Sequence, residues 1–370
     1  MPLYNHLPGK QTKSHMLLDL IAISGELPAD RLFRLSGGDS YKMSVITTLK
    51  QHGFLKTYYR DSLRGYRLTK HAKHLLYEEN PDRFSFCFAD NSETNHIKSD
   101  AVRRLRLHRI AETIITMKNA GISVFRDEHP AVFAPVLKDD IHIRSPSFFN
   151  SREIKELGTV FSKIRGARSV GVLLTESEIF AVYNLGNTLM KWQYKSEMRT
   201  KALLKTVLCR ERLPNQYSPD AVRGLIFGNT MELAYELLTN GGGKQYFILD
   251  GNYESFCYLT NDRHGEAVLR LLCDPVLSGN LNDILMCGLE PAQPGLSVEN
   301  DAMENECPVL FCYTCDLPRI RRFDSALRLQ NRRGTIICFD YQADVLHRYC
   351  GNAVKFQLID FNKWERRFFT

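Results

Sequence analysis

The stretch that most restricts the fold is "DSYKMSVITTLKQHGFLKTYYRDSLRGYRLTK", residues 39–70. Met43, Ile46 and Leu49 recur at helical spacing and predict a helix with that face toward the core, opened by Asp39 or Ser40 and ended by Gly53. "FLKTYYR" and "YRLTK" then alternate side chains around a tight "DSLRG" turn, which predicts a two-stranded hairpin. "LTKHAKHLLYEE" follows as a helix, with Thr69 at its start and Leu75 and Leu76 inward. Upstream, "SHMLLDLIAIS" places Met16, Leu17, Leu20 and Ile21 on one helical face, with Ser14 as N-cap and Gly25 as stop. "LPADRLFRLSG" is a second, short helix, with Pro28 in its first turn and Gly37–Gly38 at its end.

Helix, short helix, helix, basic hairpin, helix is the order of a winged helix-turn-helix, in which the third helix enters a major groove and the hairpin reaches a neighbouring phosphate. Charge agrees with that order. The chain has 370 residues and a net charge of +7. Residues 1–75 hold twelve Lys/Arg against five Asp/Glu, which leaves thirty-seven of each sign in the remainder. The whole excess therefore sits on the first fifth, the electrostatic footprint of a polyanion binder. The expected DNA-contacting residues are Ser40, Tyr41, Lys42, Ser44, Thr47, Lys50 and Gln51 on the helix. Arg60, Arg64, Arg67 and Lys70 complete the set on and beyond the hairpin. The alternatives are a solvated basic face, or a winged helix used only for protein contacts.

Four regions are expected: 1–80, the winged helix-turn-helix; 81–149, a linker and a basic connecting helix; 150–245, an α/β core; and 246–370, further α/β elements. "ENPDRFSFCFADNSETNH" reads as the linker. In "SDAVRRLRLHRIAETIITMKNAGI", Val102, Leu105, Ile110, Ile114 and Met117 could pack. Arg103, Arg104, Arg106 and Arg109 would extend the DNA footprint or form a solvated face, and the helix could also dimerise. From 150, "SREIKELGTVFSKI" (helix), "RSVGVLLT", "EIFAVYNL" and "TLMKWQY" (strands), "SEMRTKALLKTVLC" (helix) and "AVRGLIFG" (strand) follow the restriction-endonuclease-like order. Such a nuclease needs an Asp on one strand and an acid-x-Lys on the next to hold Mg²⁺. Here Lys191 has no acid two residues before it, and Glu176, Glu178 and Glu197 are off pattern, so a degenerate core without catalytic acids is expected. A Mg-dependent nuclease using those acids with Lys191 or Lys195 is the enzymatic alternative.

"KQYFILD", "GTIICFDY" and "AVKFQLID" read as buried strands, with "LPRIRRFDSALRLQN" and "YQADVLHRYC" as helices among them, which makes the fold class multidomain α/β. Asp250, Asp340 and Asp360 each end a strand, where a carboxylate caps a helix or turn more often than it holds a metal. "GGGK" (241–244) sits between a helix and a strand, the reverse of a P-loop. Cys307, Cys312 and Cys315 supply one CxxC pair without a second, and the single His142 of "IHI" does not make a His-hydrophobe-His cluster. No metal or cofactor is expected. Ten cysteines without an apolar leader predict reduced thiols, a cytoplasmic address and no membrane partner.

The segment "GYRLTKHAKHLL", the helix "LRLHRIAETIITMKNAGI" and the strand pair "SVGVLLTESEIFAVYNLG" together resemble the replication-relaxation family of plasmid and integrative-element proteins, over roughly the first 200 residues. Ala72 stands where that pattern commonly has glycine. The resemblance implies a non-catalytic DNA-binding accessory of a mobile element, acting in its replication, mobilisation or transcription. The implied partners are double-stranded DNA, a second copy as homodimer, and a replication or mobilisation protein. A scaffold that binds such a partner and is only docked to DNA by its winged helix is a further alternative.

Overall fold

Glycines at positive φ set the first boundaries. Gly25 (φ 85°) closes the helix α1, Lys13–Ser24, and Gly53 (φ 77°) follows α2, Asp39–Gln51. Both dihedrals lie in the left-handed region, where a Cβ is strained. Thr12, not Ser14, caps α1; its hydroxyl accepts the His15 N–H at 3.2 Å. Between the helices lie the two-residue strand β1 (Leu27–Pro28) and a 3₁₀ turn, Ala29–Arg34. The 3₁₀ turn is the short second helix in its tighter form. After α2 come β2 (Leu55–Arg60), β3 (Leu63–Leu68) and α3 (Lys70–Glu79), the last capped by the Thr69 hydroxyl. The three strands form a sheet in the order β1-β3-β2, all antiparallel.

These elements belong to a computed structural model that describes residues 4–88, 100–136, 141–158, 167–239, 252–292 and 298–369. The chain divides into two compact units: 1–165 with 169–179 and 203–218, and 166–168 with 180–202 and 219–370. It is a mixed fold of helix and sheet. Among the described residues no helix is long and apolar enough to cross a membrane.

The first unit continues with α4 (Pro81–Phe88) and α5 (Ala101–Asn119). The expected linker thus opens with a helix, because Phe84 and Cys87, three residues apart, are both buried. Asp100 caps α5 by accepting the Arg103 N–H. Its apolar face differs from the expected one: Ile110, Ile114 and Met117 are buried, while Val102 and Leu105 are exposed. Arg104 takes the inward place near the start of the helix and is completely buried, so it is neither DNA footprint nor solvated face. The strand β4 (Ser147–Asn150) pairs antiparallel with β5 (Gly171–Leu174). In place of the helix expected from 151, residues 151–153 form a turn and Ile154–Leu157 a 3₁₀ segment; the rest of that expectation lies outside the described residues.

In the second unit β6 (Ile179–Gly186) is buried throughout. The strand expected over 188–194 is absent apart from a single bridge residue, Lys191. Seven residues separate the Gly186 turn from the helix Tyr194–Thr206, whose start at Tyr194 takes the last residue of the expected strand. Among the described residues, the endonuclease-like order thus lacks its third strand. β7 (Val222–Gly228) and β8 (Phe256–Thr260) are parallel neighbours. A second sheet follows the order β13-β12-β11-β10-β9. Its parallel members β11 (Cys307–Phe311), β12 (Gly334–Phe339) and β13 (Val354–Ile359) are joined by the helices Leu317–Leu329 and Asp340–Cys350. These are the crossovers that parallel strands require. β9 (Glu290–Pro291) and β10 (Ala302–Glu304) complete it as antiparallel additions.

Asp340 and Asp360 each cap backbone: Asp340 accepts the Tyr341 N–H at 2.9 Å and Asp360 the Lys363 N–H at 2.9 Å. The strand expected over "KQYFILD", with Asp250, and the "GGGK" segment lie outside the described residues. Cys312 and Cys315 are buried, and burial pushes both thiols well above the ordinary range. Among the described residues no cluster of three or more His, Cys, Asp or Glu has the spacing to hold a metal ion.

Candidate nucleic-acid interface

The inward stripe of α2 is Lys42, Val45, Ile46 and Leu49, spaced i, i+3, i+4, i+7. Ile46 and Leu49 face the core as expected, but Lys42 takes the inward place expected of Met43, which is 48% exposed. The opposite face carries Ser40, Tyr41, Ser44, Thr47 and Gln51, all exposed as expected, together with Thr48. Lys42 is not among them. Its ammonium donates to the Phe33 carbonyl at 3.1 Å and the Leu35 carbonyl at 3.3 Å, and pairs with Asp39 at 2.8 Å. It thereby closes the junction between the 3₁₀ turn and α2, and its expected groove contact is withdrawn. Asp39 and Lys42, three residues apart on a helix, were the local sign of that pairing.

The hairpin turns in two residues, Asp61 (φ 51°) and Ser62 (φ 61°), with Arg60 paired to Leu63. Positive φ at both centres is the mirror-image type I′ turn that suits the twist of a hairpin. Thr57, Tyr59 and Arg64 share one face. Tyr59, opposite Arg64, is 69% exposed. Tyr66 on the same face is buried, with the Lys50 ammonium 5.2 Å from its ring centre, so half-buried Lys50 sits where α2 meets the hairpin. Arg60, Arg64 and Lys70 are exposed as expected. Exposed Tyr59 belongs to that face, and the period-2 alternation of "LKTYYR" was the signal for it; exposed Lys56 and Arg60 point to the hairpin's other face.

Arg67 was expected on the hairpin's outer surface and is buried instead. It donates through Nε to Glu26 at 2.7 Å, with Nη2 2.6 Å from the same carboxylate, and stacks on Tyr58. Glu26 is fully buried and also accepts from Arg104 of α5 (Nη2, 2.6 Å), while the His108 ring nitrogen lies 2.9 Å away. Burial alone would raise the Glu26 carboxyl; hydrogen bonds from His108, Arg104 and Arg67 overcome it and hold the group down at about 2. Arg104 then reaches past Glu26 to the hairpin backbone, donating to the carbonyls of Arg60 (2.8 Å), Leu63 (3.0 Å) and Tyr58 (3.3 Å). Gly65 leaves room for this: a Cβ there would lie 2.2 Å from Glu26 Oε1. No local pattern announces a cluster whose partners lie 41 to 82 residues apart.

α5 also fixes the 3₁₀ turn. Arg31 pairs with Glu112, Arg34 donates to Thr116 Oγ1 at 3.0 Å, and Asn119 donates to the Arg34 carbonyl at 3.1 Å. One helix thus braces both the turn before α2 and the hairpin after it.

Of the acids considered for nuclease chemistry, Glu197 has its carboxylate bound within the fold. Glu197 is fully buried, accepting from the Arg168 backbone N–H at 2.7 Å and the Tyr183 hydroxyl at 3.0 Å. Glu176 and Glu178 belong to the turn joining β5 to β6, where the Thr175 N–H meets the Glu178 carbonyl at 3.0 Å.

Comparison of the chain with protein-family models, with curated proteins and with solved structures returns no match.

Proposed function

We propose that the chain is a non-catalytic, duplex-DNA-binding accessory of a mobile genetic element, with α2 in the major groove and the β2–β3 hairpin as a wing. The observation that carries this reading is a continuous polar and basic surface. Ser40, Tyr41, Ser44, Thr47 and Gln51 on α2 run by way of half-buried Lys50 into Tyr59 and Arg64 on one face of the hairpin, while exposed Lys56 and Arg60 flank them from its other face. Short hydroxyl and amide side chains suit base edges, and the cations suit phosphates. The sequence resemblance supplies the mobile-element context.

The test is fluorescence anisotropy of the full chain on random duplex DNA across a salt series. With about four cations on phosphate, log K should fall against log salt with a slope of about −3 to −4. Arg60→Ala combined with Arg64→Ala should reduce that slope by about 2. Absence of binding at low salt, or a slope unchanged by the double substitution, overturns the reading.

A further inference from the structure

One surface of the second unit carries cations that the fold does not use. Residues 187–202 hold four Lys/Arg and a single acid, Glu197, whose buried carboxylate is taken by the Arg168 N–H and the Tyr183 hydroxyl. Buried Met190 and Trp192 pin the segment from inside, the indole 5.2 Å from the Tyr183 ring, and Arg168 Nε donates to the Lys191 carbonyl at 3.2 Å. Lys191, between those two anchors, is exposed. In the helix Tyr194–Thr206, Ser196, Glu197 and Thr200 face inward, which leaves Tyr194, Lys195, Met198 and Arg199 exposed. Lys195 and Arg199, four residues apart, form one row on the helix; Tyr194 (49% exposed) and Met198 (44%) form the row beside it.

Lys191, Lys195 and Arg199 make no side-chain ion pair or hydrogen bond among the described residues. The other described cations of this unit, Arg333 and Arg367 excepted, all have partners: Arg319 and Arg322 meet Glu299, Arg328 meets Asp324, and Arg348 meets Glu232. Three cations of one sign without a counter-charge attract a polyanion. The neighbouring row selects among polyanions. An exposed ring beside cations is a platform for a base, with the adaptable methionine next to it, and a base offers its face only when it is out of a duplex. An acidic peptide would use the cations and leave the ring idle. We infer that this face binds single-stranded nucleic acid, with a base stacked on Tyr194 against Met198 and phosphates on Lys191, Lys195 and Arg199. The site is separate from the duplex-binding surface of the first unit and does not depend on it.

Fluorescence anisotropy of the full chain on a labelled oligothymidylate of about twelve nucleotides tests it. Binding should be saturable at low salt. An abasic oligomer of the same length should bind about tenfold more weakly, because it keeps the phosphates and loses the stack. Tyr194→Ala should weaken the oligothymidylate about tenfold, whereas Tyr194→Trp, which keeps a ring to stack on, should retain it. Lys195→Ala combined with Arg199→Ala should reduce the slope of log K against log salt by about 1.4. Arg60→Ala combined with Arg64→Ala, on the hairpin of the first unit, should leave affinity for this strand unchanged. All these positions are exposed, and circular dichroism confirms that each variant is folded. Absence of binding, an abasic oligomer or polyglutamate binding as tightly as the oligothymidylate, a folded Tyr194→Ala chain with unchanged affinity, or an equal loss from the hairpin substitutions overturns the inference.

Discussion

Glu26→Gln is the perturbation that most directly probes how the hairpin is held. The carboxylate is fully buried and balances Arg67 and Arg104, the latter with no exposed surface at all. Taking one charge from a buried ionic set leaves the others uncompensated, at a cost of about 3–5 kcal/mol. A glutamine still accepts one hydrogen bond, so the lower end, about 3 kcal/mol, is expected. The Glu26 carboxyl sits at about 2 instead of 4.5, and such a shift is worth about 3 kcal/mol. The sign follows from the depressed value: this stabilisation is fully present above about pH 4.5 and is lost as pH falls toward 2. The assay is hydrogen exchange of peptides covering residues 55–68 through a urea series. With an m-value of about 2–3 kcal/mol per molar, the midpoint for those peptides should fall by about 1 M. The loss of protection between pH 4.5 and 2 should also flatten in the variant. Combined with Arg104→Met, the two changes should be non-additive by about 1–3 kcal/mol. A midpoint within about 0.3 M of wild type, well under 1 kcal/mol on that m-value, or an unchanged acid limb, refutes the reasoning.

Gly65→Ala should destabilise the same hairpin by about 2 kcal/mol or more, since its Cβ would overlap Glu26 Oε1, and the same exchange measurement reads it. Lys42→Ala should lower thermal stability by about 1–3 kcal/mol while leaving the salt slope of DNA binding unchanged, because its three partners are all within the fold. Glu153, fully buried, has its carboxyl raised by burial to about 8, so this group takes stability away as pH climbs from about 4.5 to 8. Glu153→Gln should flatten that decline in urea midpoints measured across the interval. Exposed Cys287 should react with a thiol reagent in the native chain, whereas buried Cys87 and Cys338, with thiols pushed up to about 12, should react only on unfolding; mass spectrometry of labelled peptides distinguishes them.

Much of the first unit is legible in the residues because its signals are local. The Thr69 cap, the Gly25 and Gly53 stops and the alternation of β2 each act within a few positions, and the chain obeys them. Helix phase is less secure. In α2 both Met43 and Lys42 are compatible with an inward stripe, and backbone carbonyls at Phe33 and Leu35 decide for the lysine. Arg67 and Arg104 are invisible for a different reason: their common partner Glu26 is distant in sequence, and burial of an arginine depends on that partner being there. The α4 helix hides in a segment with polar flanks, its only mark being Phe84 and Cys87 on one face. β4 is four residues long, too short for any periodicity, and the strand expected near Lys191 yields to the helix that starts at Tyr194. The α/β alternation of the last hundred residues is the easiest to read and says least about function, although β13, expected to be buried, lies at the sheet's edge with Lys355, Gln357 and Leu358 exposed.

The hairpin tip carries no glycine, yet both of its central residues stand at positive φ. Ordinarily the identity of such residues dictates how two strands come into step. Here the carbonyls on either side of the tip, at Arg60 and Leu63, are gripped by Arg104 from a helix that begins some forty residues later. Alignment of the strands is thus delegated to a distant clasp, and Asp61 and Ser62 are relieved of it. The tip can therefore vary among residues that tolerate positive φ, such as Asn, Asp and Gly, without resetting the strands beneath.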